Sequence, residues 1–571
     1  MYWFIFWQPN ADLDWLKNYW VNGQEDRKIF YPFSTFPENP YAVGYEFINR
    51  SNRNTVTGNV QATYNFTKEF SLQVRTSMDL SYEQRAQERP YDAGSRLPKG
   101  SYRKQSIFSQ EASSDFLLKY EKKINDNFDF SITGGGSALR NNYNKDENRA
   151  DSLTFPGVYS FANAAGPLIT IPYKSKYAIN SFYGLLTTGY KNFLFLDVTA
   201  RNDWNSVLAT PTRTTNAGFF YSSVNSSFVL SEVLKMPQQI NFAKIRFSVA
   251  GVGSGGTTPY RTAYNYTTAG SLYNGGLQNP STLANPDLKP LKTTTYELGT
   301  TIKMFRSKLS IDLAVYSGNT KNQILDRVID RSSGFARQVI NAGRVDNQGL
   351  ELAISGTPVN TKGGLKWTTG IVFSSNKNKI VELADSSVVL RTGSVGGGQI
   401  VARVGGSMGD LYGQGYVRAP DGQVVYNAST GFALLSTDVV YLGNTIPKGK
   451  IGFSNEFQFK GFRLNLLFDA QYGAVGHSLT HYKMAEQGKL TKTLPGRYNG
   501  ITGNGVVYDA VNDKYITNTT IATDIDEYYR SHFGINNAEG STFSTDFLKF
   551  REARLDYSLN PKLTKNVYSR I

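Results

Sequence analysis

From Phe462 the chain reads FRLNLLFDAQYG, apolar and polar almost in turn. Phe462, Leu464, Leu466, Phe468, Ala470 and Tyr472 fall on one side of an extended chain. Arg463, Asn465, Asp469 and Gln471 fall on the other, with Leu467 the exception. Residues 72–82, 194–200, 245–249 and 309–315 repeat the pattern. A strand sends successive side chains to opposite faces, so each stretch has one greasy and one wet side. Many such strands around a wet interior predict an all-β fold, a transmembrane antiparallel up-and-down β-barrel.

Reading the same period along the whole chain predicts about 14–16 strands. Hairpins are expected at 55–66 with 70–82, 178–190 with 193–204, 296–304 with 309–316, 349–355 with 365–373 and 451–459 with 462–472. Residues 546–559 read as a strand whose partner is missing. The connections fall into two classes. Thr67-Lys68-Glu69, Lys191-Asn192, 305–308 and Lys460-Gly461 are short and polar, whereas 83–107, 140–176, 254–291, 376–448 and 474–544 are long. Short turns at one rim and long loops at the other are how outer-membrane barrels are built, with the long loops outside. Such loops are also where ligand-binding residues gather. Helical periods are few, and the two expected helices, 12–19 and 231–236, are short.

Composition agrees with this picture. No apolar run approaches the ~20 residues of a membrane helix. The mean hydropathy of −0.38 does not conflict with a barrel, which shows apolar residues only at alternate positions. Tyr 36 and Phe 35 supply material for aromatic girdles at the membrane surfaces. The absence of Cys rules out disulfides, thiolate metal sites and Cys nucleophiles. The net charge of +15 comes from Lys and Arg spread along the chain. It reads as solvated turns and loops, with some attraction for anionic lipid head groups or acidic ligands, and not as a nucleic-acid surface. The first residues, MYWFIFWQPN, lack a basic region and a small-residue cleavage site, so the chain is expected to be a fragment or to begin at an internal position.

Candidate chemistry is sparse. GVGSGG at 251–256 follows a strand, but no helix with an acidic ribose partner comes after it, so it reads as a strand-end loop. His477 and His481 have the spacing of two metal ligands on a helix face, without a third. Asp524, Asp526 and Glu527 form an acidic cluster, a weak candidate for structural calcium or magnesium that lacks the EF-hand pattern. Arg75, Asp79, Asp312, Arg463 and Asp469 are expected to face the wet interior or a plug. No P-loop, nucleophile elbow or HExxH is present, so no catalytic residue is assigned and an enzyme is poorly supported.

Several blocks resemble the SusC/RagA-type TonB-dependent outer-membrane transporters of Bacteroidota. They are QPNADLDWLKNYWVNG and ENPYAVGYEFINRSNRNTVTGNVQATYNF near the start, then LDVTARNDWNSVL and GFFYSSVNSSFVLSE. NPDLKPLKTTTYELGTTI is the most specific, followed by INAGRVDNQGLELAISG and FSSNKNKIVEL. YLGNTIPKGKIGFSNEFQFKGFRLNLLFDAQYG and FLKFREARLDYSL complete the series. Residues 251–256 depart from it, because the family more often has a Gly-Asn pair there. The resemblance implies that residues 1–571 are one barrel domain. It implies a carboxypeptidase-like domain, a TonB-contacting segment and a plug before residue 1, and closing strands after Ile571, in a barrel of roughly 22 strands. It also implies TonB-dependent uptake of a bulky nutrient, a glycan or oligopeptide, with a SusD-like surface lipoprotein and without a cofactor. A passive porin is the alternative. Tyr260, Tyr264, Tyr266 and Tyr273 are the expected ligand-contacting loop aromatics, because aromatic faces stack on sugar rings and pack on peptide side chains.

Overall fold

The computed structural model describes residues 2–7, 12–31, 38–94, 97–268, 276–383, 387–391 and 398–559. One sheet of 16 strands dominates it. Its main path runs through β1 (Asn49–Asn65), β2 (Phe70–Arg89), β3 (Ser101–Asn125), β4 (Phe128–Ala150) and β5 (Ile169–Tyr190). It continues through β6 (Leu194–Asn205), β7 (Gly218–Val229), β8 (Ile240–Ser254), β9 (Leu291–Met304) and β10 (Leu309–Val328). β11 (Arg337–Asn360), β12 (Lys366–Glu382), β13 (Gly449–Phe459), β14 (Phe462–Tyr472) and β15 (Phe547–Tyr557) complete it. Each of these strands pairs antiparallel with the next, which is an up-and-down barrel wall. Only the short segment Thr282–Leu283 stands off the path, parallel to the start of β11.

Register carries the alternation from strand to strand. Ile132 lies opposite Leu186, Leu186 opposite Val198, and Val198 opposite Val224. Leu298 lies opposite Val315, Val315 opposite Leu350, and Phe453 opposite Phe468. A slip of one residue would throw all of these to the other face, so the apolar pattern itself specifies the pairing. The apolar face is left uncovered: Val60 is 77% exposed, Phe182 60% and Leu548 76%. An apolar band of that extent is covered in nature by lipid. Among the described residues no helix is long and apolar enough to cross a membrane.

The short turns are as expected, and two have a clear backbone reason. Lys191-Asn192 and Lys460-Gly461 have φ of 48° and 57°, and of 46° and 90°. Two-residue hairpins with both residues left-handed match the twist of the flanking strands. The long-loop side needs correction. Most of 83–107 and 140–176 is strand, because β2 runs to Arg89, β3 starts at Ser101, β4 runs to Ala150 and β5 starts at Ile169. β3, β4 and β11 have 25, 23 and 24 residues. A bilayer crossing takes about 9–11, so the wall stands well beyond the membrane on this side. The strand expected at 546–559 is β15; β14 pairs with it on one side, with Leu464 opposite Leu555, and among the described residues no strand pairs with its other side.

Helix α1 (Leu13–Lys17) forms where expected, with Asp12 capping it by accepting from the Asp14 amide at 2.8 Å. The helix expected at 231–236 is only a 3-10 turn at Leu230–Glu232. Pro237 stops propagation there, and one turn does not repay helix nucleation. α2 (Pro40–Tyr45) leads into β1, and α3 (Leu479–Glu486) and α4 (Ile525–Phe533) lie in the loop between β14 and β15. That loop and the one between β12 and β13 interlock. Val425–Tyr426 of the β12–β13 loop pairs with Val506 and Val507 of the β14–β15 loop. Tyr426 and Ala433 share a core with Val507, Ala522, Tyr528 and Tyr529.

Candidate functional site: the polar face and the loops above it

The other face of the wall is polar in every strand, and many of its charges are paired. Arg75 Nε donates to Asp115 Oδ2 at 3.0 Å. Asp312 accepts from Arg246 at 2.6 and 3.0 Å and from Thr301 Oγ1 at 2.6 Å. Asp469 receives both arms of Arg551, at 2.5 and 2.8 Å. Arg463 lies 3.8 Å from Glu456. Asp79 accepts only from Thr57 Oγ1 at 3.3 Å, and no cation pairs with it among the described residues. The five expected charges thus share one face, but four of them belong to separate ion pairs along it and Asp79 to none among the described residues.

A cavity of about 760 Å3 opens on this face. Arg246 from β8, Glu351 from β11, Lys450 from β13 and Lys549 from β15 are among its lining residues, and every strand from β8 to β15 contributes. Eight strands laid flat would span roughly 34 Å. One cavity touches them all because the wall curves toward its polar side.

Nearer the long-loop end, β1 to β4 carry a group of charges that sequence reading placed in a loop. Glu83, 4% exposed, accepts from Arg53 at 2.6 and 3.1 Å, from Arg85 at 2.6 and 3.0 Å, and from Ser51 Oγ at 2.6 Å. Glu147, 2% exposed, accepts from Arg103 and Gln105, both at 2.7 Å, and from Lys145 at 3.3 Å. The signal was available: Glu83 with Arg85, Arg103 with Gln105, and Lys145 with Glu147 are each two residues apart, which puts both on one face of a strand.

The loop between β8 and β9 carries the expected aromatics. Tyr264 donates to Asn279 Oδ1 at 2.6 Å and stands edge-on to Tyr266, 5.4 Å away, and to Phe335, 5.9 Å away. Tyr260 is separate, with its hydroxyl accepting from the Lys176 amide at 3.2 Å. Tyr273 lies outside the described residues. A knot at the rim holds the end of this loop. Leu288, buried completely, packs with Leu208 and Val339. The Asn341 side chain accepts from the Lys289 amide at 2.8 Å and donates to the Lys289 carbonyl at 2.9 Å. Asn205 donates to the Gly256 carbonyl at 3.0 Å. A Cβ on Gly255 would come 2.7 Å from the Asn205 amide nitrogen, which explains the glycine in that stretch. Three blocks distant in sequence, around Leu208, Leu288 and Val339, therefore meet at one point.

In the interlocked loops, His532 bridges two tyrosines of the neighbouring loop: its Nδ1 lies 3.1 Å from Tyr416 Oη and its Nε2 3.4 Å from Tyr426 Oη. Burial lowers its pKa to about 4 and pushes Tyr416 up to about 12. His481, beside Phe533 and Phe543, is lowered to about 4, mainly by burial and further by Lys492 and His477. His477 does not share a helix face with it. It ends the strand Val475–His477, and Ser478 caps α3 after it. The acidic cluster is a helix start: Asp524 caps α4 by accepting from the Glu527 amide at 3.1 Å, and Asp526 pairs with Arg530 at 2.9 Å.

Comparison with known proteins follows the same outline. The sequence profile described as TonB dependent receptor-like, beta-barrel matches residues 4–445. TonB-dependent receptor P26 of Formosa agariphila is 28% identical over 411 residues, 66% of this chain and 41% of that protein. TonB-dependent receptor P3 of the same organism is 24% identical over 490 residues, 79% of this chain and 47% of that protein. The chain thus spans less than half of these relatives. Among solved structures, the RagAB peptide importer in its closed-closed state is similar with a TM-score of 0.72 at 17% identity, covering 92% of this chain and 57% of that chain.

Proposed function

The chain belongs to the TonB dependent receptor-like β-barrel family, and from that membership we propose that it forms the barrel of a transporter taking up a bulky nutrient across the outer membrane. It is an outer-membrane protein, and its family is one of transporters and not an enzyme class. The cargo is a glycan or an oligopeptide. A SusD-like surface lipoprotein helps capture it at the long loops, and TonB supplies energy through a segment that precedes this chain in the whole protein. Arg75, Asp79, Asp312, Arg463 and Asp469 face the path, and Tyr264 and Tyr266 offer ring faces to the cargo at its mouth.

The observation that carries this reading is the curved polar face with its 760 Å3 cavity, set beneath loops that pack as a body. A wet surface whose charges are mostly paired passes polar cargo without gripping it, and a shaped cap above it suits selective capture. The test is uptake by cells making the whole native protein, with TonB present and absent, together with identification of what co-purifies. Uptake that stops without TonB, and a lipoprotein in the complex, are expected. Uptake indifferent to TonB would make the barrel a passive porin.

A further inference from the structure

We propose that the cluster of Arg53, Arg85, Arg103 and Lys145 at the long-loop end of β1 to β4 is a subsite for an anionic group on the cargo, a carboxylate carried by a sugar acid or an acidic peptide. The proposal rests on the transport reading above and adds the charge of the cargo to it.

Three observations carry it. The first is the balance of charge. Glu83 is shared by Arg53 and Arg85, and Glu147 by Arg103 and Lys145, so four cations sit on two carboxylates. Arg149 with Asp151 and Arg50 with Glu88 are balanced pairs beside them, while Arg89, held by the Ile48 and Glu88 carbonyls, keeps its charge and adds to the excess. The second is order. Both carboxylates are buried and each holds two of the cations, so these are fixed before any ligand arrives, which lowers the entropy cost of binding. The third is space. A cavity of about 340 Å3 opens beside two of them, Arg85 and Arg103, and Arg50, Ser51, Gln87 and Gln105 also line it. These are donors suited to a carboxylate, which arginine grips with two parallel bonds.

The same face also says where an anion stops. Asp79 and Glu111 lie directly opposite each other, four residues further along β2 from Glu83, about 13 Å away. Neither has an ion-pair partner among the described residues. Glu111 is met only by Asn141 at 3.2 Å and Tyr177 at 3.4 Å. An anion drawn to the arginines meets a negative step just beyond them, so the cluster is a docking point at the rim and not a stage of passage.

The experiment is equilibrium binding to the purified whole protein at low ionic strength, with hexaglutamate against hexaglutamine and hexagalacturonate against maltohexaose. At least one acidic probe is expected to bind about tenfold more tightly than its neutral counterpart. The difference should vanish in R85Q/R103Q, checked for folding by heat-dependent gel mobility, and persist in R554Q, which removes a cation paired with Asp556 far from the cluster. Which acidic probe binds decides between peptide and glycan. Equal binding within both pairs, no binding by any probe, or an acidic preference unchanged in R85Q/R103Q would overturn the proposal. If the double variant does not fold, R103K gives the second reading, since it keeps the charge and loses the fork; undiminished preference there also overturns it. Binding is measured without TonB, so failure of the transport reading leaves this outcome separate.

Discussion

The wall and the loop body above it keep their apolar side chains on opposite sides. In the wall, Val60 and Phe182 point outward and remain exposed, and the strands are joined by their backbone ladder. In the loop body, Tyr426, Tyr528 and Tyr529 turn inward and exclude water as a soluble core does. The wall takes much of its cohesion from a bilayer that must cover its outside, whereas the loop body carries its own. One chain therefore holds two regions whose response to substitution is inverted, and that inversion can be tested.

The largest effect is expected in the loop body. Tyr528→Ala should cost about 3–5 kcal/mol of local stability. Hydrogen exchange should show the two loops opening while the wall stays protected; loss of protection in both together would mean that they are one unit. Next is the wall. Val198→Arg, on the apolar face, should cost about 2–4 kcal/mol in bilayer folding measurements, whereas Thr199→Arg, its neighbour on the polar face, should cost far less. Equal costs would dissolve the distinction between the faces.

Acid should also separate the regions. The chain's three histidines, His477, His481 and His532, all lie in the loop body. Burial favours their neutral form, with His481 and His532 near 4 against about 6.5 unfolded. Their contribution is intact above about pH 6.5 and is lost as pH falls toward 4, because only the unfolded loop takes up protons freely. Tyr416, Tyr426 and Tyr528 face His532, and none offers a charge to balance an imidazolium. Limited proteolysis across this range should cut within 474–546 before any strand; cleavage independent of pH would count against it. A smaller effect belongs to the tight turns, where Gly461→Ala should cost about 1 kcal/mol because φ is 90°. The polar face is the smallest case: Arg463→Gln should leave stability within about 0.5 kcal/mol.

How much of this was legible follows from the same contrast. Where one face meets lipid and the other water, alternation is strong, as at 194–200 and 462–472, and strands and hairpins there were read correctly. Where β2 to β5 rise beyond the membrane both faces are wet. Alternation fades in QRAQER and KDENRA, and strand was mistaken for loop. That error hid the Glu83 and Glu147 clusters. The curvature that joins Arg246 to Lys549 around one cavity comes from the whole sheet, and no local period records it. Tyr264 and Tyr266 were singled out by residue type alone, and the knot of Leu208, Leu288 and Val339 that steadies their loop depends on contacts more than fifty residues apart.

The interlock of the two great loops also bears on how such a protein can evolve. Tyr426 and Ala433 come from one loop and Val507, Ala522 and Tyr528 from the other, so neither is a free cassette. A gene exchange that imported only one would leave half a core facing a stranger. An inheritable switch of preference must carry the stretch from about residue 399 to 546 as a block, with the hairpin of β13 and β14 travelling as a passenger. Crossovers between relatives should therefore cluster outside that block, and drift within one loop should be answered in the other.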